Sequence, residues 1–382
     1  DSIAVFPGDS TPPNIELDPR ISIHPAGRLI AGDYDLTIIS PGIPEHSELY
    51  RSARHCSREV ISEPEFAFRE SPQRWVAISG TNGKTTTTAL LTHLLNHGGI
   101  KARSAGNIGT PCIQAIKQRE HDEWLVVELS SYQLASTRLL APEVAILLSI
   151  TADHLSWHGS YAEYVKAKKA LFRCMKPDAP RIIDATTDET HNIITSLAKS
   201  GCRSIAIGSL SGLEEDMSTP ADAREMAFLR GDNSLLTIVL GGVEYALVSA
   251  AELQIRGEHN QLNALAASAA ALFIGVSVED LREGLRSFAP LEHRIEPCGV
   301  VAGREFFNDS KATNPEATIK ALSAFTDQSV VLLLGGRDKG TDLSELVSAC
   351  EGKCRAVICY GEAQERFSDA FRANSQRDSQ ST

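Results

Sequence analysis

The sequence predicts an α/β protein built on parallel sheets. Short apolar runs alternate with helical segments along most of the 382 residues. Two of the runs, 123–129 (EWLVVEL) and 144–150 (VAILLSI), are apolar almost throughout, which is typical of parallel strands covered on both faces. A turn with two glycines joins one predicted strand to the next helix, and such turns often hold phosphate groups.

The predicted elements follow in chain order. Short buried strands are expected at 2–6 and 35–40, and the polar stretch 69–73 separates them from the rest. The later predicted elements are strands at 74–79, 123–129, 144–150, 329–336 and 355–361, helices at 85–97, 160–175, 262–275, 343–350 and 362–373, and a hairpin at 234–248. Residues 374–382 are polar, and we expect them to form a disordered tail.

The composition limits the function classes. Hydrophobic residues make up 42% of the chain and charged residues 23%, which is typical of a soluble globular protein of two or three domains. The formal net charge of -12 argues against general binding to nucleic acids or anionic membranes. No apolar run approaches the ~20 residues of a membrane span. The eight cysteines include no Cys-x-x-Cys pair, so we expect reduced thiols and a cytoplasmic location.

The stretch 78–95 (ISGTNGKTTTTALLTHLL) is the candidate phosphate loop. Gly80 and Gly83 allow close backbone approach, Lys84 can reach the outer phosphates, and the Thr85 hydroxyl is placed to ligate Mg²⁺. The common pattern G-x-x-x-x-G-K-[ST] needs glycine where Ile78 stands. The position between a strand and a helix nevertheless favours nucleotide binding over a purely structural turn.

Polar residues follow two of the apolar strands. Glu128 ends the run 123–129, where it could ligate a metal or act as a base; alternatively it caps a helix beginning near Ser130. Asp153 and His154 follow the run 144–150 and could bind a metal or polarise a nucleophile. The alternative for this pair is a hydrogen bond within the loop.

One lysine lies on an apolar helix face. In the predicted helix 160–175, Tyr161, Tyr164, Val165, Lys168 and Phe172 share one side. An unpaired ammonium group on such a face is costly. Either the Lys168 side chain reaches water past its neighbours, or it is a buried and chemically special lysine.

Two later turns are rich in polar residues and glycine. The stretch 306–315 (FFNDSKATNP) is either a simple turn or part of a site. The stretch 332–342 (LLLGGRDKGTD) ends a predicted strand with Gly335, Gly336 and Lys339, and it could form a second anion site.

Taken together, these stretches resemble the Mur ligases, the ATP-dependent amide-forming enzymes of bacterial cell-wall synthesis. The matching blocks are SPGIP (40–44), GTNGKTT (80–86), GNIGTP (106–111), ELSSYQL (128–134), TADHLSWHGSYAEYVKAK (151–168), GEHNQLNALAA (257–267), EHRIE (292–296), NDSKATNP (308–315) and LLLGGRDKG (332–340). The resemblance implies a central P-loop domain for ATP at 72–290, between a Rossmann-like UDP-substrate domain at 1–71 and a Rossmann-like amino-acid domain at 291–382. We expect both outer domains to be incomplete, because the family pattern extends beyond each end of the chain.

The resemblance also implies an activity. Within the family, the combination of ELSSYQL and NDSKATNP implies addition of D-glutamate to UDP-N-acetylmuramoyl-L-alanine through an acyl phosphate, in peptidoglycan synthesis and therefore in cell shape and division. The expected cofactors are ATP and two Mg²⁺ ions, and the expected state is a monomer. The alternatives are a nucleotide-binding protein that hydrolyses ATP without ligation, and an inactive Mur-ligase fragment that retains ATP binding only.

The resemblance assigns roles residue by residue. The implied catalytic residues are Lys84, Glu128, His154 and Lys168. The implied ATP-binding residues are Gly80, Thr81, Asn82, Gly83, Lys84, Thr85, Thr86, Asn260, Arg294 and Asp309. The implied metal ligands are Thr85 and Glu128 for the first magnesium, and His154 with a carbamylated Lys168 for the second. The UDP substrate is assigned Ser40, Pro41, Gly42, Asn107, Gln133 and His154, and D-glutamate is assigned Lys311, Thr313 and Lys339.

Overall fold

The structure is a computed structural model that describes residues 2–7, 18–209, 213, 225–232, 234–337 and 340–378. Contacts divide the chain into two compact units. Unit one contains Asp1–Thr88 and Ile100–Ile205, and unit two contains Ala89–Gly99 and Ala206–Thr382. Helices alternate with strands in both units, which confirms the predicted α/β class. The proposed domain boundaries after residues 71 and 290 stay a prediction.

Unit one begins with two pairs of parallel strands. Its first elements are β1 (Ile3–Val5), β2 (Ile21–Ile23), β3 (Tyr34–Ile39), α1 (Glu48–Cys56), β4 (Ser57–Ser62) and α2 (Glu63–Glu70). β1 pairs with β2 and β3 pairs with β4, both in parallel. Helix α1 begins where the Ser47 side chain accepts a hydrogen bond from the Tyr50 N–H. Tyr50 and Ala53 then pack on Ile39 and Val60 in a small core.

The larger sheet of unit one carries the candidate site. The strands of this sheet and the helices between them are β5 (Trp75–Ser79), α3 (Lys84–His97), β6 (Ala102–Gly106), α4 (Cys112–Gln118), β7 (Trp124–Glu128), α5 (Ser131–Ala135), β8 (Val144–Leu147), α6 (Leu155–His158), α7 (Tyr161–Lys169), β9 (Arg181–Asp184) and α8 (Asp188–Lys199). Only the first turn of α3 belongs to unit one, because unit two takes the helix from Ala89 onward. The strands lie in the order β6–β7–β5–β8–β9, and each pair is parallel. Every residue of β5, β8 and β9 is buried. The apolar run 144–150 predicts this for β8, whereas β9 was not predicted from the sequence.

The register of this sheet aligns the ends of its strands. Glu128, the last residue of β7, lies opposite Ile78 on β5 and Gly106 on β6. On the other side of β5, Ser79 lies opposite Leu147, the last residue of β8. The carboxyl ends of four strands therefore meet at one edge, where ligands bind in open α/β sheets.

Among its described residues, unit two combines a three-stranded antiparallel group, a separate hairpin, a parallel strand pair and five α-helices besides the end of α3. Strand β10 (Ser204–Ser209) begins in unit one and continues into unit two. The strands and α-helices that follow it are β11 (Glu225–Arg230), β12 (Leu235–Leu240), β13 (Val243–Ser249), α9 (Glu258–Ile274), α10 (Val278–Ser287), β14 (Glu296–Val301), β15 (Arg304–Asn308), α11 (Pro315–Leu322), β16 (Val330–Gly335), α12 (Ser344–Lys353), β17 (Cys354–Tyr360) and α13 (Gln364–Asp378). β12 and β13 form the predicted antiparallel hairpin. β16 and β17 pair in parallel, and Leu346, Val347 and Cys350 of α12 belong to the core beneath them.

Most predicted elements begin and end within four residues of their predicted limits, and two differ by more. The helix predicted for 160–175 is α7, which ends at Lys169 and is followed by a 3-10 turn at Ala170–Phe172. The prediction of a disordered tail from residue 374 is wrong for 374–378, which continue α13. This segment contains no glycine or proline that would end a helix. Residues 379–382 lie outside the described part.

Two expectations from composition can be compared with the structure. All eight cysteines are free thiols, as the absence of paired spacings predicts. Among the described residues, every helix is too short or too polar to cross a membrane.

A buried carboxylate joins α2 to the segment that precedes β8. The Glu65 side chain is fully buried and accepts a hydrogen bond from Arg69 Nε at 2.8 Å. Its two oxygens also accept from the backbone N–H groups of Arg138, Leu139 and Leu140 at 3.1, 2.8 and 2.9 Å. Four donors converge on one carboxylate, which makes this contact strong because charge-assisted hydrogen bonds exceed neutral ones.

We expect Glu65→Gln to destabilise unit one, because an amide NH₂ would face backbone donors and the charge would be lost. A cost of about 2–4 kcal/mol corresponds to a decrease of roughly 5–10 °C in the first thermal transition. Differential scanning calorimetry measures this shift. Glu70→Gln is the matched control, since Glu70 lies on the same helix and is exposed; equal transitions for the two variants would contradict the assignment.

Candidate active site

The phosphate loop fits closely against the end of β8. Residues 80–83 connect β5 to α3, which confirms the predicted order of strand, loop and helix. Gly80 has a φ of +148°, and a Cβ atom there would lie 2.6 Å from Leu148 Cβ. The Thr81 N–H donates to the Ser149 carbonyl at 2.8 Å. Only glycine can occupy position 80 without displacing this backbone.

The loop presents positive charge and an unused donor. Lys84 Nζ donates to the Gly80 and Thr81 carbonyls at 2.9 and 2.8 Å, so its ammonium group lies over the loop. The Asn82 Nδ2 atom is buried and has no hydrogen-bond partner within the described ranges. The first turn of α3 adds backbone N–H groups that point out of the helix end. This combination is suited to an anion such as a phosphate.

The two residues assigned to the first magnesium lie together. Thr85 Oγ1 donates to Glu128 Oε2 at 2.8 Å, and Asn107 Nδ2 donates to Glu128 Oε1 at 2.9 Å. Glu128 is only 2% exposed. The carboxylate is thus held from both sides, next to the start of α3. A hydroxyl and a carboxylate are oxygen ligands of the kind that Mg²⁺ prefers.

A close backbone approach supports this carboxylate. Gly106 has a φ of +103°, and a Cβ atom there would lie 2.3 Å from the Glu128 carbonyl oxygen. The next residue, Asn107, donates its N–H to the same carbonyl at 2.9 Å. The glycine in the GNIGTP block therefore allows β6 to end directly against Glu128.

Glu128 does not cap a helix, which was the alternative role that the sequence left open. Helix α5 is capped by Ser130, whose side chain accepts from the Gln133 N–H, while the Gln133 side chain accepts from the Ser130 N–H. Gln133 Oε1 also accepts from Ser130 Oγ at 3.0 Å. The Gln133 carbonyl group is thus engaged in the cap, and its assignment to the UDP substrate stays a prediction.

Lys168 is buried beneath the phosphate loop. It is 1% exposed, so its side chain does not reach water as the alternative required. Its Nζ donates to the Gly80 carbonyl at 2.7 Å and lies 4.7 Å from the centre of the Tyr164 ring. Burial, followed by the like charge of Lys84, holds the pKa of Lys168 well below its usual value. A neutral amine at this position would be nucleophilic.

Asp153 and His154 form a local pair. The His154 N–H donates to Asp153 Oδ1 at 2.8 Å, and His154 Nε2 lies 3.5 Å from Asp153 Oδ2. His154 has a φ of +54°, which turns the chain at the start of α6. This geometry is the alternative that the sequence left open, a hydrogen bond within the loop. Within the described ranges, no three His, Cys, Asp or Glu residues form a group that could hold a metal, and the metal role of His154 stays a prediction.

An aromatic cluster next to His154 was missed by sequence reasoning. The rings of Tyr132 and Trp157 stack at 4.5 Å, and the Tyr132 ring lies 4.9 Å from His154. His158 Nε2 is 2.9 Å from Ser131 Oγ. Burial, with a smaller effect of His154, lowers the pKa of His158 to about 4. The aromatic residues of SWHGSYAEY were the available signal, but their spacing does not predict a contact with α5.

The assigned nucleotide residues of unit two are buried or lie at a strained turn. Asn260 is buried and donates to the Arg256 carbonyl at 2.7 Å. Asp309 Oδ1 accepts from the Ile295 N–H at 3.1 Å, and burial raises the pKa of Asp309. Ile295 has a φ of +45°, a rare conformation for a β-branched residue. The structure thus places Arg294 in a turn that Asp309 holds.

The remaining assigned residues lie in loops. Ser40, Pro41 and Gly42 directly follow β3. The Lys311 N–H donates to the His293 carbonyl at 3.2 Å, and the side chains of Lys311 and Thr313 are exposed. Lys339 lies outside the described residues. No contact described in the structure tests the substrate roles of these residues, which stay predictions.

Comparisons with known proteins show which family the chain resembles. The family model "Mur ligase middle domain" matches residues 78–271, and "Mur ligase, glutamate ligase domain" matches residues 293–380. A UDP-N-acetylmuramoylalanine–D-glutamate ligase from Thermoanaerobacter sp. (strain X514) is 36% identical over 338 residues, which are 88% of this chain and 71% of the relative. The enzyme of the same name from Alkaliphilus metalliredigens is 35% identical over 347 residues, 90% of this chain and 72% of that relative.

Solved structures show the same fold at low sequence identity. MurF from Acinetobacter baumannii aligns with a TM-score of 0.57 and 20% identity, covering 90% of this chain and 85% of that one. The MurF ligase of Thermotoga maritima, solved in complex with ADP, aligns with a TM-score of 0.56 and 16% identity, covering 87% and 86%. Together with the family models and the relatives above 30% identity, these results place the chain: it belongs to the Mur ligase family.

Proposed function

We propose that this protein is an ATP-dependent ligase that adds D-glutamate to UDP-N-acetylmuramoyl-L-alanine. The observation that carries the proposal is the 2.8 Å hydrogen bond between the Thr85 hydroxyl and the Glu128 carboxylate, beside the Lys84 ammonium group. These groups form a site for a nucleotide triphosphate with its metal ion. The names of the relatives at 35–36% identity support the choice of substrates.

The proposed reaction has two steps. The γ-phosphoryl group passes from ATP to a carboxylate oxygen of UDP-N-acetylmuramoyl-L-alanine, and ADP leaves. The D-glutamate amine then attacks the acyl carbon, a C–N bond forms, and phosphate leaves as the C–O bond breaks. The amine nitrogen loses its extra proton to solvent. Lys84 and the N–H groups at the start of α3 stabilise the negative charge on the phosphate oxygens in both steps.

The residues at the loop fit magnesium. Thr85 and Glu128 supply two oxygen ligands, and Mg²⁺ usually keeps several waters besides one or two carboxylates. A bound Mg²⁺ ion would supply charge neutralisation on the phosphate oxygens. We assign Thr85 and Glu128 to the first ion, and His154 with Lys168 to the second.

Carbamylation would give Lys168 the chemistry of a ligand. Burial holds the pKa of its amine well below the usual value, which favours the neutral form. The neutral amine would attack CO₂ so that an N–C bond forms and a proton is released. The product is an anion with two oxygen atoms. This modification would replace an amine, which is costly to charge in this buried position, by a group able to bind a metal ion.

The remaining assignments belong to the same proposal. The chain would comprise three domains at 1–71, 72–290 and 291–382, with the UDP substrate at the first, ATP at the second and D-glutamate at the third. The protein would use ATP, act as a monomer and be located in the cytoplasm. Asn260, Arg294 and Asp309 are the further proposed nucleotide contacts.

The proposed function makes three predictions, and the first concerns the dependence of phosphate release on each substrate. We expect phosphate release only when ATP, UDP-N-acetylmuramoyl-L-alanine and D-glutamate are all present, because the acyl phosphate must form and then react with an amine. A coupled phosphate assay with each component omitted in turn measures this, and mass spectrometry identifies the amide product. Release without an acceptor would indicate an ATP-hydrolysing nucleotide-binding protein. ATP binding without any release would indicate an inactive ligase fragment.

The second prediction concerns the carboxylate. We expect Glu128→Gln to raise the Mg²⁺ concentration needed for half-maximal rate by at least about 10–100-fold, since a charged oxygen ligand is lost. Activity as a function of Mg²⁺ concentration measures this. Glu120→Gln is the control, because Glu120 is an exposed carboxylate that pairs with Lys101. An unchanged Mg²⁺ dependence in Glu128→Gln would remove Glu128 from the metal site.

The third prediction concerns Lys168. We expect Lys168→Ala to lower kcat by about 10–100-fold or more, and we expect acetate or propionate to restore part of the rate by replacing the carbamate. Lys166→Ala is the control, since Lys166 is 71% exposed on the same helix and pairs with Glu163.

An independent readout does not need activity. Wild-type protein equilibrated with ¹³C-bicarbonate should show a carbamate signal in its ¹³C NMR spectrum, and Lys168→Ala should lack it. Absence of the signal in the wild type, or full activity of Lys168→Ala, would exclude the carbamate.

A further inference from the structure

We infer that Thr81 is a positioning residue, which holds three segments of the site together through its hydroxyl group and does not use that group to bind the nucleotide. The inference rests on the proposed function, because it concerns the alignment of residues assigned to that reaction. It departs from the family-based expectation that Thr81 contacts ATP as the other loop residues do.

The hydroxyl of Thr81 has three partners inside the protein. Its Oγ1 donates to the Thr151 carbonyl at 3.1 Å and accepts from the Thr151 N–H at 3.0 Å. It also lies 2.8 Å from the Tyr164 hydroxyl, which can donate to it. A threonine hydroxyl has one donor and two acceptor positions. These three contacts therefore use its full capacity.

The backbone of Thr81 is engaged in the same way. Its N–H donates to the Ser149 carbonyl at 2.8 Å, and its carbonyl accepts from Lys84 Nζ at 2.8 Å. The residue is 7% exposed. A phosphate oxygen could be bound by the Thr81 N–H or hydroxyl only after an existing hydrogen bond breaks, so another role is favoured.

The partners of Thr81 come from the segments that carry the other site residues. Thr151 lies in the loop after β8, three residues before His154. Tyr164 lies on α7, one helical turn before Lys168, and its ring lies 4.7 Å from Lys168 Nζ. Lys168 in turn donates to the carbonyl of Gly80, the neighbour of Thr81, at 2.7 Å.

One hydroxyl group thus aligns the phosphate loop, the His154 loop and the Lys168 helix. These segments are distant in sequence, and each carries a residue assigned to ATP or to metal binding. A displacement of about 1 Å at a reacting centre can reduce a rate about 100-fold. Loss of the hydroxyl should therefore affect the rate more than the binding of ATP.

Thr81→Val is the informative variant, because it keeps the shape of threonine and removes only the hydroxyl. Thr81→Ser keeps the hydroxyl and removes a methyl group. Thr237→Val is the matched control: Thr237 is also buried, with its hydroxyl bonded to the Leu235 carbonyl, on strand β12 of unit two. The proposal predicts a defect in Thr81→Val, recovery in Thr81→Ser and wild-type behaviour in Thr237→Val.

Hydrogen exchange and nucleotide binding test the inference without any need for ligase activity. In Thr81→Val, the Thr151 amide loses its acceptor, so a peptide covering 149–158 should exchange faster than in wild type and in Thr81→Ser. The affinity of Thr81→Val for a fluorescent ATP analogue should stay within about threefold of the wild-type affinity. A lost contact with the nucleotide worth about 1.4 kcal/mol would instead change it tenfold. Unchanged exchange, or a tenfold loss of affinity restored by serine, would overturn the inference.

Kinetics then separate this inference from the proposed function. If the wild type ligates D-glutamate, Thr81→Val should lower kcat about 100-fold with a similar KM for ATP, and Thr81→Ser should recover most of kcat. A raised KM with an unchanged kcat would overturn the positioning role. If the wild type shows no acceptor-dependent turnover, the proposed function fails, while hydrogen exchange and nucleotide affinity still decide the role of Thr81.

Discussion

Glu128 lies opposite both Ile78 and Gly106 in the parallel sheet of unit one, and the rest of the site depends on this register. It brings the end of β7 level with the end of β5, where the phosphate loop begins. Thr85, in the first turn of α3, can then reach the Glu128 carboxylate. A shift by one residue would turn the Glu128 side chain to the other face of the sheet. Hydrogen bonds between strands therefore set the position of the carboxylate that we assign to the metal ion.

Charge burial is the second constraint on this site. Two lysine side chains donate to the single carbonyl of Gly80, and a carboxylate that is 2% exposed lies at the same sheet edge. Burying charged groups is unfavourable unless hydrogen bonds or opposite charges compensate for the lost water. The low pKa of Lys168 is one response to this cost. A nucleotide with its metal ion, or a carbamate on Lys168, would change the balance of charge, and this links the electrostatics of the site to the proposed chemistry.

The contacts of Thr81 illustrate how such a site is kept in order. Loops that bind phosphate are rich in glycine, which lets their backbone approach the phosphate closely. The same glycines make such loops less rigid. Here a neighbouring side chain holds the loop to the segments after β8 and on α7. Most of the polar groups in this part of unit one have partners inside the protein, whereas the Asn82 amide nitrogen lacks one in the described residues. A loop fastened in this way can keep one donor available for a ligand.

The sequence alone determined the α/β class, most strand and helix positions, and the family. It could do so because buried parallel strands leave continuous apolar runs and because a phosphate loop between a strand and a helix needs particular residues in a fixed order. It also indicated that Lys168 is unusual, since 3.6-residue periodicity placed it on an apolar face. Local signals of this kind depend on residues close together in the chain.

Only the tertiary structure decided which distant residues meet. The contacts of Glu128 with Thr85 and Asn107, of Thr81 with Thr151 and Tyr164, and of Glu65 with 138–140 join residues tens of positions apart. Strand register and helix packing create these contacts, and neither can be predicted from the spacing of residues close together in the chain. The same reason explains the choice between alternatives that the sequence left open: Glu128 is not a helix cap because Ser130 fills that position, and Lys168 is buried because α7 packs against the phosphate loop.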